Sequence, residues 1–177
     1  LLIEKYGLLK MFLGFTPGAL AETSALLCLL AFIFLTIRKT IDWRIPTIYV
    51  GSVFVLTYII GAINGYAGTL NYALFGVLNG GLMFGAVFMA TEPVTSPRNP
   101  NGVILYSFGL GALTVLFRFA SSMPEGVATS ILIMNMFTAA LERFSAKLRV
   151  EPNKRKVVVS YALIGLLFAG IGTLAVD

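Results

Sequence analysis

Long apolar stretches separated by short polar connections run through the whole chain. A helix needs about 20 predominantly apolar residues to cross the hydrocarbon core of a bilayer. Six windows come close to that length, and the last contains no charged residue. The pattern predicts an all-α integral membrane protein whose 177 residues form a single transmembrane domain of about six helices. The predicted spans cover residues 19–37, 45–63, 71–90, 102–119, 126–146 and 157–176.

Most of the cations lie on one side of these predicted spans. Ten of the 13 Lys and Arg residues lie in, or within four residues of, the connections between spans one and two, three and four, and five and six. The positive-inside rule places these connections in the cytoplasm. The N-terminal stretch, the loop 61–70 and the turn 121–125 then face outward. Cations at helix ends meet anionic headgroups, so the net charge of +5 requires no nucleic acid partner.

The amino-acid composition excludes several kinds of cofactor and active site. Hydrophobic residues make up 58% of the chain and charged residues only 12%, about half the charged share of a soluble domain. There is no His and a single Cys, Cys28. This excludes a His-ligated haem, the common zinc sites, an iron–sulfur cluster within this chain, a disulfide framework and a His-based triad. We therefore predict no metal site and no catalytic residue. Redox chemistry would require an organic cofactor or another subunit.

Ionisable residues near the spans are candidates for function, because a charge costs roughly 2.5–3.5 kcal/mol at the centre of a membrane helix. Glu22 lies in the first turn of span one, where it either complements the helix dipole or faces a cofactor or ion path. Glu92 and Glu142 lie near the predicted cytoplasmic ends of spans three and five. Each is either an interface anchor or an ion-entry carboxylate. Arg118 either snorkels to the outer surface, pairs with Glu125 or binds a cofactor phosphate.

The third span is rich in glycine, and the fifth contains an amide near its middle. Small residues at four-residue spacing favour close packing of membrane helices, and a mid-membrane amide usually joins two helices. Close approach of a planar ligand is the alternative interpretation of the glycines. The predicted helix-packing residues are Gly76, Gly80, Gly81, Gly85 and Asn135.

Two segments at the outer start of inward-running spans resemble each other. Residues 17–24 place Pro-Gly before Thr-Ser, and residues 124–130 place Pro-Glu-Gly before Thr-Ser. Each segment precedes a helix N-terminus, whose backbone N–H groups bind anions such as phosphate. Two such ends on one face would frame a single anionic ligand.

Four motifs occur in the chain in a recognisable order. They are PGALAETS at 17–24, WRIP at 43–46, FMATEPVTSP at 88–97 and PEGVA at 124–128 followed by Asn135. Together they resemble the D subunit (RnfD) of the Rnf complex, the ion-translocating ferredoxin:NAD+ oxidoreductase. The B subunit (NqrB) of the Na+-translocating NADH:quinone oxidoreductase is a close relative. The Thr-Ser-Pro ending and the sixth span favour the Rnf protein. Glu92 replaces the family's usual Asp, and Ala19 and Ala21 replace Ser and Gly.

This resemblance implies a membrane subunit of an ion-pumping electron-transport complex in the inner (cytoplasmic) membrane of a prokaryote. Electron transfer between ferredoxin and NAD+ would be coupled to translocation of Na+ or H+. The fold would be urea-transporter-like, an inverted repeat with broken or half helices. The implied partners are the other membrane and peripheral subunits and membrane lipid, while ferredoxin and NAD bind other subunits. No catalysis is expected from this chain alone.

The resemblance also implies a flavin on the outer side. The family carries FMN on a Thr within a Ser-Gly-Ala-Thr-Pro-Leu type of motif, which we expect just before Leu1, so that this chain is the C-terminal half of a longer polypeptide. A second, non-covalent flavin (riboflavin) is a further expectation. Glu92 and Glu142 are the predicted ion-path residues. The predicted FMN-binding residues are Pro17, Gly18, Glu22, Thr23, Ser24, Arg118, Glu125, Gly126 and Thr129.

Two other functions fit the residues without the resemblance. One is a small-solute channel or secondary transporter of urea-transporter-like fold with no redox role, which the glycine-rich third span and the paired helix starts suit equally well. The other is a structural membrane subunit whose polar residues only join helices. A retained flavin and partner subunits would distinguish the electron-transport function from both.

Overall fold

A computed structural model describes residue 10 and residues 12–14, 24–65, 69–78, 81–120, 126–150 and 159. Regular structure within these ranges is helical, without a strand. The helices are α1 (Ala25–Ile37), α2 (Arg44–Ile63), α3 (Thr69–Leu78), α4 (Leu82–Met89), α5 (Pro100–Ala120) and α6 (Gly126–Val150). In α4, the short α-helical segment Leu82–Phe84 continues as the π-helical segment Gly85–Met89.

Three described helices are long and apolar enough to cross a membrane: α2, α5 and α6. The bent pair of α3 and α4 makes a fourth candidate if the two count as one span, and α1 is apolar but only 13 residues long. The predicted all-α membrane class is therefore confirmed. The predicted span 157–176 lies outside the described residues, apart from residue 159. The six-helix count and the urea-transporter-like repeat stay predictions.

The third predicted span is interrupted in the structure. Helix α3 ends at Leu78 and α4 begins at Leu82, and the two segments are bent by 63° relative to each other. Gly81 has a φ of +67°, a left-handed conformation that glycine adopts without a Cβ clash. The predicted span 71–90 thus contains a bend between two apolar half-helices, which average hydropathy does not report.

Local side-chain bonds set the ends of α1 and α2. Ser24 is the N-cap of α1, where its Oγ accepts a hydrogen bond from the Leu27 amide at 3.3 Å. The chain then turns through Lys39, which has a φ of +54°. Before α2, the Asp42 carboxylate accepts the Arg44 amide at 3.0 Å. These contacts satisfy backbone N–H groups at the starts of the two helices.

The core lies between α2, α5 and α6. Tyr49 of α2 and Tyr106 of α5 are completely buried there. Helices α2 and α5 approach each other tightly at Gly111, where an added Cβ would overlap Ser52 Oγ and lie 2.8 Å from Ser52 Cβ. A glycine at this position therefore allows the two helices to pack in contact.

Candidate functional site

An open cleft of about 770 Å³ lies between the end of α4 and the first half of α6. Its lining residues are Phe88, Met89, Glu92, Ala128, Thr129, Ile131, Leu132 and Asn135. A mostly apolar cavity with a few convergent polar groups is the usual form of a binding site. Among the described residues no group of three or more His, Cys, Asp or Glu side chains is placed to hold a metal ion.

Glu92 enters this cleft from the turn that follows α4. The π-helical segment closes with a bond from the Ala90 amide to the Gly85 carbonyl at 2.8 Å. Thr95 Oγ1 then donates to Glu92 Oε2 at 3.2 Å, and the Ser96 amide donates to the Glu92 carbonyl at 3.0 Å. The carboxylate is thus oriented by its own turn and remains exposed within the isolated chain.

Asn135 lies on the opposite wall of the cleft, nine residues after the start of α6. Tyr106 OH donates to Asn135 Oδ1 at 2.6 Å, which joins α5 to α6. Sequence analysis assigned Asn135 to helix packing. The structure gives it that contact and also places it beside Glu92 in the lining of the cleft.

Glu142 has a different environment from Glu92. Its Oε1 accepts the backbone N–H of Arg98 at 2.8 Å, which ties the connection between α4 and α5 to α6. Glu142 follows Asn135 by seven residues, a rise of about 10 Å along the helix. The two predicted ion-path carboxylates therefore have different contacts: Glu92 lines the cleft together with Asn135, and Glu142 anchors the connection between α4 and α5.

Arg118 binds the end of the broken helix. Its Nη1 donates to the carbonyl of Gly76, which is in the last turn of α3. Carbonyls in the last turn lack an intrahelical partner, and a cation there also complements the helix dipole. This contact could not be predicted from the sequence, because it exists only where α3 ends at the break.

The described members of the predicted flavin site have different local contacts. Gly126 begins α6 directly beside the last turns of α5, where an added Cβ would be 3.1 Å from Phe117 Cβ and 3.9 Å from the Arg118 amide. Thr129 lines the cleft, while Ser24 caps α1. The other predicted residues, Pro17, Gly18, Glu22, Thr23 and Glu125, lie outside the described residues.

The predicted packing glycines have different local roles. An added Cβ at Gly76 would be 2.9 Å from Thr57 Cγ2 of α2, and one at Gly85 would overlap a valine side chain of α6. Both glycines permit close helix contacts. Gly81 instead provides the left-handed turn between α3 and α4, and Gly80 lies outside the described residues.

A buried chain of hydroxyl groups, which sequence analysis did not single out, joins α2, α5 and α6. Tyr49 OH and Thr114 Oγ1 are 2.6 Å apart, and Thr114 Oγ1 donates to Ser130 Oγ at 3.1 Å. Ser130 Oγ donates in turn to the Gly126 carbonyl. Hydroxyls in apolar spans are a known source of interhelical bonds. The sequence shows that three predicted spans contain hydroxyl residues. It does not show which hydroxyls pair, because the pairing depends on the tertiary structure.

These features define an all-α membrane protein with a bent pair of apolar half-helices and an acidic residue in a cleft between two helices. Residues 2–151 match the model of the NQR2, RnfD, RnfE family. The chain therefore belongs to that family, and the resemblance inferred from its four motifs is confirmed.

Individual relatives agree with this assignment. The chain is 41% identical over 136 residues to the D subunit of the proton-translocating ferredoxin:NAD(+) oxidoreductase complex of Clostridium ljungdahlii, covering 76% of this chain and 40% of the relative. It is 36% identical over 128 residues to the Na(+)-translocating counterpart of Acetobacterium woodii, covering 72% and 37%. It is 31% identical over 160 residues to the B subunit of the Na(+)-translocating NADH-quinone reductase of Chromohalobacter salexigens, covering 86% and 38%. The chain thus spans about two fifths of the length of these relatives.

Proposed function

We propose that this chain is the C-terminal membrane part of an Rnf-type D subunit within an ion-pumping complex. The complex would transfer electrons between ferredoxin and NAD+ and couple that transfer to translocation of Na+ or H+ across a prokaryotic inner membrane. The observation that carries the proposal is the family match over residues 2–151, since the similar relatives are named as subunits of such complexes. Ferredoxin and NAD would bind the other subunits, and this chain alone would catalyse nothing.

The cleft suggests where an ion passes. Ionisable residues within a membrane protein usually mark ion pathways, and rings or pairs of carboxylates select cations. Glu92, Thr129 and Asn135 provide a carboxylate, a hydroxyl and an amide at one cleft. We assign Glu92 to the ion path at this level. Glu142, farther along α6, is the second proposed carboxylate, and its bond to Arg98 also fixes the connection that carries Glu92.

A flavin phosphate suits the outer end of α6. The backbone of Arg118 lies close to Gly126, while its guanidinium is bonded to the Gly76 carbonyl at the end of α3. N–H groups in the first turn of a helix lack an intrahelical partner and are favourable for a phosphate, and Arg118 is the proposed cation nearby. When bound, FMN would supply the redox chemistry, while these groups would hold its charged end. A covalent link to a threonine upstream of Leu1 and a second flavin (riboflavin) are part of the same proposal.

The proposal is tested by flavin fluorescence on a denaturing gel of the native, full-length polypeptide, together with its intact mass. We expect a fluorescent band that is heavier than the polypeptide by one FMN. Replacing the upstream flavin threonine with valine should abolish both signals. A dark wild-type band without added mass would overturn the flavoprotein assignment and favour the small-solute channel or transporter.

Gly126→Leu is expected to lower FMN occupancy of the purified complex by roughly half or more, because a bulky side chain at this contact moves the N-terminal turn of α6 away from the phosphate. Gly102→Leu is the matched control, since an added Cβ there would also be 3.1 Å from a neighbouring side chain, Ser145 Oγ, at the other end of α5. Occupancy is measured as flavin absorbance per mole of protein. Equal loss in the two variants would mean that packing damage, not the flavin site, explains the effect.

A further inference from the structure

A second cleft, of about 390 Å³, lies between α1, α2 and the broken pair of α3 and α4. Its walls are almost entirely apolar, with Phe32, Val50 and Phe54 among the lining side chains. Along α2 the lining extends from Pro46 to Phe54, about 12 Å at helical rise. Gly51 is part of this wall, and a Cβ added there would meet nothing within 4 Å. The cleft is therefore apolar, extends for about two turns of α2 and is suited to a hydrocarbon chain.

Three cations lie close in the chain to the end of this cleft that begins at Pro46, and we call this end the mouth. Helix α2 begins two residues before its first lining position, Pro46. The exposed cations in the connection from α1 and at the start of α2 are Arg38, Lys39 and Arg44. Asp42 is the acid of this connection, and its carboxylate accepts the amide of Arg44. The local charge therefore remains positive. Trp43, which is 54% exposed at the same level, is a residue type typical of the membrane–water interface.

We propose that this cleft binds an anionic phospholipid of the surrounding bilayer. One acyl chain would lie along α2 past Gly51, and the phosphate would contact Arg38, Lys39 and Arg44. Basic pockets at the cytoplasmic ends of membrane helices bind acidic headgroups. The apolar walls provide no partner for a polar solute, whose burial there would be unfavourable. The acyl chain of a zwitterionic lipid would pack against the apolar walls equally well. Its headgroup has no net charge, so the three cations would attract it less. This site is separate from the proposed flavin and ion-path residues.

The test is native mass spectrometry of the purified complex with added phosphatidylglycerol or phosphatidylcholine. We expect wild type to retain phosphatidylglycerol in preference to phosphatidylcholine. Gly51→Phe, which fills the cleft, should abolish that preference, whereas Val55→Phe is the control on an exposed face of α2 outside the cleft. A photo-reactive residue at position 51 should cross-link to lipid.

The charge of the mouth is tested separately. Replacing Arg38, Lys39 and Arg44 with glutamine should weaken phosphatidylglycerol retention by roughly tenfold or more, since each cation near an anionic headgroup contributes about fivefold. Replacing Arg143 and Lys147, cations of α6, should have little effect. Equal retention of the two lipids by wild type would overturn the proposal. So would equal loss in the two cation variants, unchanged retention by Gly51→Phe, or cross-links from position 51 to polypeptide instead of lipid.

Discussion

Replacing Gly111 with alanine should lower the free energy of unfolding by about 1–3 kcal/mol, the usual range for overpacking a tight core. The added Cβ would overlap Ser52 Oγ and lie 2.8 Å from Ser52 Cβ. A Cβ cannot move to another rotamer, so α2 and α5 would have to separate. Tyr49 and Thr114, which hydrogen bond between these two helices, would then be pulled apart. The measurement is the midpoint of thermal unfolding of the purified complex in detergent.

Two further variants isolate the cause. Gly51→Ala is the matched control, because the same change on α2 meets nothing within 4 Å and should stabilise the helix by up to about 1 kcal/mol. Ser52→Gly combined with Gly111→Ala removes the opposing Cβ and should recover a substantial part of the lost stability. An unchanged unfolding midpoint for Gly111→Ala, or no recovery in the double variant, would show that this helix contact is not tight.

Replacing Glu92 with glutamine should reduce ion translocation by about tenfold or more without lowering flavin content. At ~4 Å and an effective dielectric constant of ~20, a carboxylate attracts a monovalent cation by about 4 kcal/mol, and about 1.4 kcal/mol already corresponds to tenfold. Glutamine keeps the size of the side chain and an oxygen that can accept the Thr95 hydroxyl. The measurement is ion uptake into proteoliposomes driven by electron transfer, with flavin content determined on the same preparation.

Two substitutions of Glu142 distinguish the effect of its charge from the effect of its hydrogen bond to the Arg98 amide. Glutamine at position 142 retains an oxygen for the Arg98 amide and removes only the charge, whereas alanine removes both. We expect Glu142→Gln to lower translocation and Glu142→Ala to lower it further and also reduce thermal stability. If translocation is unaffected in both Glu92→Gln and Glu142→Gln, the two carboxylates are interface anchors and the ion-path assignment fails.

The class of fold follows from hydropathy because a membrane-crossing helix requires a long apolar segment, and α2, α5 and α6 each contain one. The break between α3 and α4 does not follow from it. Both half-helices are apolar, the segment contains no proline, and the turn depends on the backbone conformation of Gly81. Glycines that allow close packing and a glycine that allows a left-handed turn look identical in one sequence. Gly85 and Gly81 illustrate the two cases.

Individual residues of the candidate site could be predicted from the sequence, but their arrangement in space could not. An acid within or beside an apolar span stands out because of its cost in lipid, so Glu92 and Glu142 could be singled out. Their surroundings depend on the path of the connection after α4, which brings Glu92 into one cleft with Asn135 and the Arg98 amide onto Glu142. Neutral hydroxyls carry no comparable cost. Tyr49 and Thr114 therefore gave no strong signal, although both are completely buried.

The buried hydroxyl chain has only one self-consistent order of donation. Each hydroxyl has a single proton, and a carbonyl oxygen only accepts. The Ser130 proton goes to the Gly126 carbonyl and the Thr114 proton goes to Ser130, so Tyr49 must donate to Thr114. All three bond dipoles therefore add in the same sense, from α2 through α5 to α6. The helix bundle therefore carries a small dipole across its helices in addition to the axial dipole of each helix. Loss of the Thr114 hydroxyl would divide the hydroxyl chain into two separate parts.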